Sequence, residues 1–362
     1  MFVLPRARPL AGLAAAVLIG LLGLNPAHSA EVRGLYEAEV PVSDKSEASR
    51  EAALGEALAR VVTKVTGERR PKSNPTVAAA TASPGRFIQR FRYRVVAAEP
   101  GVEPAGAEQR WLLWARFDPG VVDGLVRDAG MRVWGRTRPA VVFWVAVEDA
   151  GARKILGGEE STELADVVRE AAGQRGVPVV LPLLDLEDQS RLRVSDVWGV
   201  FRDRIRAASD RYQSNVILTG RVYRLLPTLW EGQFTLLLGD VAEEWSSQGD
   251  ILELLLSDGV IEVADRLAAR FAGPGTLVQA SGFGVVVSGV RSAADYARAL
   301  GYFSNLEETT EVSVSRVRAD EVSFHIEARG GREALLRVVG LSRILTPESR
   351  PDDPELRFRL MP

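Results

Sequence analysis

The sequence predicts a multi-domain chain of mixed α+β and α/β class: an N-terminal α+β unit over residues 31–134, a middle α/β sheet domain over 138–272 and a C-terminal β-α-β-β-α-β domain over 277–362. Three observations predict it. Leu54, Leu58, Val61, Val62 and Val65 recur at helical spacing among strand-like segments, residues 140–147 and 177–184 are continuous apolar runs of strand length, and strands and helices alternate beyond Leu277.

Ahead of the first unit, Arg6 and Arg8 precede an uncharged apolar run over residues 10–24, broken at Asn25-Pro26 and followed by Ala27-His28-Ser29-Ala30. This is the order of a secretory signal peptide over residues 1–30, with small residues that place cleavage after Ser29 or Ala30. The run of 15 residues is shorter than the ~20 that span a bilayer. No cysteine follows to carry a lipid, so the expectation is a soluble periplasmic protein with no stable membrane anchor after cleavage.

In the N-terminal unit, residues 35–42 alternate as a strand with Tyr36, Ala38 and Val40 on one side. Ser46 and Glu47 open a helix that carries the apolar stripe and stops at Gly67. A polar loop over 71–75 leads to a short helix over 77–82. Residues 87–96 and 110–117 follow as a hairpin joined through the Pro- and Gly-rich stretch 99–106, and a helix over 121–129 closes the unit.

In the middle unit the two apolar runs suit strands covered on both faces, with a helix over 164–172 between them. A helix over 197–212, a strand over 216–223, an antiparallel pair within 230–245 and a long apolar helix over 251–271 complete it. Gly273-Pro274 marks the next boundary. Beyond it come a strand (283–290), a helix (293–306), two strands (311–317 and 322–328) about the turn Arg318-Ala319-Asp320, a helix (333–344) and a strand (356–360). That is a ferredoxin-like split βαβ order.

Composition narrows the chemistry. Cysteine is absent, which removes disulfides, thiolate catalysis and cysteine metal sites. Of two histidines, His28 lies in the leader, and His325 alternates away from Val322, Phe324 and Ile326, so no multi-histidine zinc site or strong histidine-based triad is predicted. No G-x-x-x-x-G-K-[ST] occurs, and Ser281-Gly282-Phe283-Gly284 lacks dinucleotide-loop spacing and reads as a linker. Without the leader's two arginines, 43 basic side chains face 48 acidic ones, a net charge of about −5 with the signs interspersed. No nucleic-acid partner, no cofactor and no catalytic residue is predicted.

Two groups remain as candidates. Asp185, Glu187 and Asp188 follow an apolar run, at the carboxyl end of a sheet strand where α/β folds bind ligands. They suit an oxygen-ligand metal such as Mg²⁺, Mn²⁺ or Ca²⁺, without calcium-loop spacing. The favoured reading is an ordinary strand-to-helix loop with Ser195 or Asp196 capping the next helix. The pair Glu159-Glu160 with Ser161 reads as a flexible loop and helix start. Trp111 and Trp114, three apart in a strand, lie on opposite faces, and Trp134 and Trp144 flank the first junction. These four suit either an interdomain seam or a partner-binding surface.

Residues 34–42 (Gly-Leu-Tyr-Glu-Ala-Glu-Val-Pro-Val), residues 57–67 (Ala-Leu-Ala-Arg-Val-Val-Thr-Lys-Val-Thr-Gly), Trp134 with Arg138-Pro139, residues 208–212 (Ala-Ser-Asp-Arg-Tyr) and Gly220-Arg221-Val222 together resemble the exported bacterial family called domain of unknown function 2066. The resemblance implies export and architecture, and no activity. The middle unit is similar in pattern to envelope domains of curli-secretion lipoproteins, activators of penicillin-binding proteins and the N-terminal part of the Tol-system propeller protein, which act by protein contact. The resulting expectation is a non-catalytic periplasmic accessory or scaffold protein that binds envelope partner proteins. The alternatives are a carboxylate-dependent metal enzyme and a small-ligand-binding protein with a cleft between its first and middle units.

Overall fold

A computed structural model describes residues 29–32, 34–95, 111–158, 162–273, 281–304, 306, 309–328, 330–339, 344–348, 353 and 355–361. Residues 1–28, the 99–106 stretch and the group Glu159-Glu160-Ser161 lie outside these.

The N-terminal unit comprises β1 (Ser29–Glu31), β2 (Glu37–Val42), α1 (Glu47–Thr66), α2 (Pro75–Ala82), β3 (Ile88–Val95), β4 (Trp111–Phe117) and α3 (Pro119–Asp128). Ser46 caps α1, its hydroxyl accepting the Ser49 N–H at 3.2 Å, and Gly67 ends the helix in the left-handed region at φ 78°. β4 is the centre of an antiparallel β2-β4-β3 sheet. The stripe Leu54, Leu58, Val61, Val62 and Val65 packs α1 on one face of that sheet, against Ala38, Val40, Leu113, Ala115 and Phe117. Burial of each such valine or leucine contributes about 1.5–3 kcal/mol, which outweighs anything the intrinsic helix propensity supplies.

The middle unit follows as β5 (Thr137–Pro139), β6 (Val141–Asp149), β7 (Ala152–Ile155), α4 (Thr162–Arg175), β8 (Val179–Val180), α5 (Leu186–Arg191), α6 (Val194–Trp198), α7 (Arg202–Ser209), β9 (Val216–Leu226), β10 (Leu229–Leu238), β11 (Val241–Gly249) and α8 (Leu252–Phe271). β5 pairs with β1, so both expected cleavage points fall within a paired strand. The main sheet runs β11-β10-β9-β6-β7, with β8 also on β6. β6 is parallel to β8 and β9, and β9, β10 and β11 form an antiparallel meander. Val141, Phe143, Val145 and Val147 face a core shared with α4 and α8, whereas Val142, Trp144 and Ala146 face a second core with Val197, Ile205 and Ala208. That two-sided burial explains why the β6 run carries no polar alternation.

Two expectations for this unit need correction. The apolar run 177–184 is a strand over only Val179–Val180, because Pro178 and Pro182 have no N–H to offer a ladder. The helix expected over 197–212 is divided: α6 ends at Gly199, Val200 takes φ 51°, and α7 starts afresh at Arg202.

The C-terminal unit is β12 (Ser281–Ser288), α9 (Ala293–Ser304), β13 (Thr309–Val317), β14 (Glu321–Ala328), α10 (Gly331–Val339), β15 (Leu345–Pro347) and β16 (Leu356–Leu360). Its sheet is ordered β13-β14-β12-β16-β15, with β12 and β16 parallel, and β15 is an addition that the sequence pattern did not show. Phe303 packs on Phe324 and Phe358 at ring-centroid distances of 5.5 and 6.4 Å in its core. The stretch 281–284 is not a linker, since its residues pair with Ile326, Glu327, Ala328 and His325 in the ladder. His325 is exposed on the opposite face from Phe324 and Ile326. Among the described residues no helix is long and apolar enough to cross a membrane.

The first two units meet in a polar clasp built on Arg138, which is fully buried. Its guanidinium donates to the carbonyls of Lys64 (2.6 Å), Trp134 (2.7 Å), Gly135 (2.9 Å), Gly176 (2.7 Å) and Arg175 (3.3 Å), and lies 3.9 Å from the centre of the Trp134 ring. Beside it Arg175 bonds the Gly67 carbonyl at 2.7 Å and Asp265 of α8, while Arg69 reaches Asp265 and Glu262. Val133 and Gly273 exchange backbone hydrogen bonds of 3.2 and 3.0 Å, so the end of the middle unit is tied back to the end of the first.

Candidate functional site

With α1 on one side of the β2-β4-β3 sheet, the other side is left to nine residues in register. Glu37, Arg116 and Arg90 form one row across the strands. Glu39, Trp114 and Arg92 form the next, and Pro41, Leu112 and Arg94 the third. Trp114 is therefore at the centre. The guanidinium carbons of Arg90, Arg92 and Arg116 lie 5.5, 4.7 and 5.8 Å from its ring centroid, each contact contributing about 0.5–1 kcal/mol.

Charge on this face is unbalanced. Arg116 pairs with Glu37 and Arg94 with Glu39 at 2.7 Å, but among the described residues Arg90 and Arg92 form no ion pair. Two exposed guanidiniums thus flank a half-buried tryptophan without a carboxylate to answer them. Such a face is built for an anionic surface with an apolar or planar part to lie on the indole. The signal was present in the chain as Arg90-Phe91-Arg92-Tyr93-Arg94, since period two in a strand aligns three arginines on one face. Treating the arginines as dispersed surface charge concealed it.

The four tryptophans proposed as a partner surface separate. Trp111 and Trp114 occupy opposite faces of β4, and the Lys45 ammonium lies 3.5 Å from the centre of the Trp111 ring. Trp134 and Trp144 are 2% and 0% exposed, so neither can present a surface to a partner. Trp134 fills the seam under Arg138. Trp144 fills the core beneath α7 and donates its indole N–H to Ser209 Oγ at 2.9 Å.

Asp185, Glu187 and Asp188 do come together, but around an arginine. Arg211 donates to both oxygens of Asp185 (2.7 and 3.0 Å) and to Asp188 (2.9 Å), and lies 3.5 Å from Glu187. Asp188, 1% exposed, also accepts from Tyr212 OH at 2.6 Å and the Leu184 N–H at 2.9 Å. Asp185 caps α5 by accepting the Asp188 N–H at 3.0 Å. The Arg211 hydrogen bond holds the Asp185 carboxyl down at about 2, while burial and the Asp188 carboxylate push the Tyr212 hydroxyl well above its ordinary range. The centre that a metal ion would need is occupied by a guanidinium, and the cluster is a lock between α5 and the turn 210–212. Among the described residues no group of His, Asp and Glu is arranged to hold a metal. Ser195 and Asp196 lie inside α6 rather than ahead of it: the helix is capped at Arg193, whose N–H the Asp196 carboxylate accepts at 3.0 Å.

No curated protein matches the chain. A family model described as Domain of unknown function (DUF8605) matches residues 29–135, the segment that contains the β2-β4-β3 sheet and its open face. The N-terminal part of this chain is thus similar to an uncharacterised-domain family, though not under the number 2066 that the sequence resemblance pointed to.

Proposed function

We propose that this chain is an exported, non-catalytic accessory protein of the cell envelope that binds an acidic partner protein through the open face of its N-terminal sheet. The observation that carries the reading is Trp114 ringed by three guanidiniums on a sheet face that no described element covers, two of them without an ion pair among the described residues. Mutual repulsion of those cations is relieved when acidic side chains are brought to them, and the indole supplies the apolar area that anchors a protein contact. The signal-peptide pattern of residues 1–30 supports the location. The lack of cysteine and the single histidine outside the leader support a binding role over a catalytic one.

The test is a photo-crosslinking residue placed at Leu112, next to Trp114 on the same face, in living cells. One envelope protein is captured reproducibly, and capture falls by about ten-fold or more when Trp114→Ala or the pair Arg90→Glu and Arg92→Glu is added, as expected for a tryptophan-centred contact. Undiminished capture in those variants, or no capture at all, refutes the proposal.

A further inference from the structure

A second cationic feature lies on the other side of α1, where that helix, the loop after it and the end of α4 enclose a cleft of about 600 Å³ between the first and middle units. Arg60, Arg69, Arg70, Lys72 and Arg175 line it, and Glu56 is the one acidic side chain among the described residues that does so. We propose that this cleft binds a phosphate-bearing anion, presented either as a free small molecule or as a lipid headgroup.

The ion pairs around the cleft leave cations in excess. Glu56 is shared between Lys72 at 2.7 Å and Arg60 at 3.6 Å. Asp265 is shared between Arg69 and Arg175, and Glu262 between Arg69 at 2.9 Å and Arg266 at 3.0 Å. Arg70 forms no ion pair among the described residues and is exposed at the mouth-forming loop. Arg175 closes the inner wall of the cleft: it is 6% exposed, and the Gly67 carbonyl and Asp265 hold its guanidinium in place there.

The choice of phosphate follows from donor geometry and number. Guanidinium forks bind phosphate oxygens at two points, and a lysine on the same wall adds a point charge. A concave wall of low dielectric concentrates the field of these groups more than the flat sheet face does. The volume falls within the range of small-ligand sites, and the site needs no movement to open. A monocarboxylate supplies two acceptor oxygens and one charge, which leaves most of these donors unfilled.

The test uses the full chain titrated calorimetrically with inorganic phosphate and pyrophosphate, together with sedimentation of vesicles containing phosphatidic acid or only phosphatidylcholine. Arg70→Glu and Lys72→Glu are the variants, both at exposed positions. Pyrophosphate binds the parent chain at one site and raises its Tm, and each variant weakens binding by about ten-fold or more. The Arg90→Glu, Arg92→Glu pair on the sheet face leaves it unchanged. Sedimentation with phosphatidic acid alone, lost in Arg70→Glu, assigns the phosphate to a headgroup, whereas pyrophosphate binding without sedimentation assigns it to a soluble ligand. No binding in either arm, or binding by both variants equal to that of the parent chain, overturns the proposal.

Discussion

Arg211 decides what three clustered carboxylates do. Asp185, Glu187 and Asp188 have the composition of a cation site, but a guanidinium two dozen residues later in the chain occupies their centre. Asp188 is the residue on which the lock depends, because it is buried and joins Arg211, Tyr212 and the Leu184 N–H. Asp188→Ala is expected to lower stability by about 3 kcal/mol in urea unfolding, since it leaves buried donors without an acceptor. The lock is also expected to be acid-labile. The folded-state value of about 2 for Asp185 lies below its ordinary 3.8, so its contribution is present above that ordinary value and is lost as the pH falls toward 2. In Arg211→Met that segment of the stability–pH profile becomes shallower, because the largest cause of the shift is gone and only the helix-capping N–H groups still favour the ionised Asp185.

Among the elements, α1 is the one whose sequence is most completely legible and whose end is most constrained. Its cap, its stripe and its stop at Gly67 all follow from local rules. What the stop residue also does is a matter of packing. At φ 78° Gly67 already excludes most side chains, and an added Cβ lies 2.2 Å from Ala268 Cβ of α8. Gly67→Ala therefore combines a left-handed alanine with an overpacked helix contact, and a loss of about 2–4 kcal/mol is expected by urea unfolding. By contrast, β8 and the α6–α7 pair were misread because apolar content was weighed above backbone donors. Prolines 178 and 182 remove the ladder in one, and the positive φ at Val200 breaks the other.

At the scale of the whole molecule the first two units are held by carbonyl groups that converge on Arg138. Removing that side chain while keeping its volume, as in Arg138→Met, leaves the carbonyls of Lys64, Trp134, Gly135 and Gly176 short of a donor. The expected loss is about 3 kcal/mol or more. Because the clasp joins two cores, calorimetry of this variant is expected to resolve the N-terminal and middle units as separate transitions; one unaltered transition would show that the apolar part of the seam suffices. The same seam forms a wall of the cationic cleft, so the clasp that couples the units also holds Arg175 in place beside it.

Periodicity in the chain was enough to assign α1, α8, the strands of the N-terminal sheet, the meander of the middle sheet and most of the C-terminal elements, because a buried face writes itself into residues three, four or two apart. The parity of Trp111 and Trp114 was readable for the same reason. Partnership was not readable. Arg69 and Glu262 are 193 residues apart, Arg138 and Lys64 are 74 apart, and Arg211 and Asp185 are 26 apart. Local spacing carries no record of such pairings, since they form only when separately folded faces are brought together. Tertiary packing therefore turned the acidic cluster into a structural lock, buried Trp134 and Trp144, left Trp114 on an open face and assembled a cationic cleft from α1 and α4.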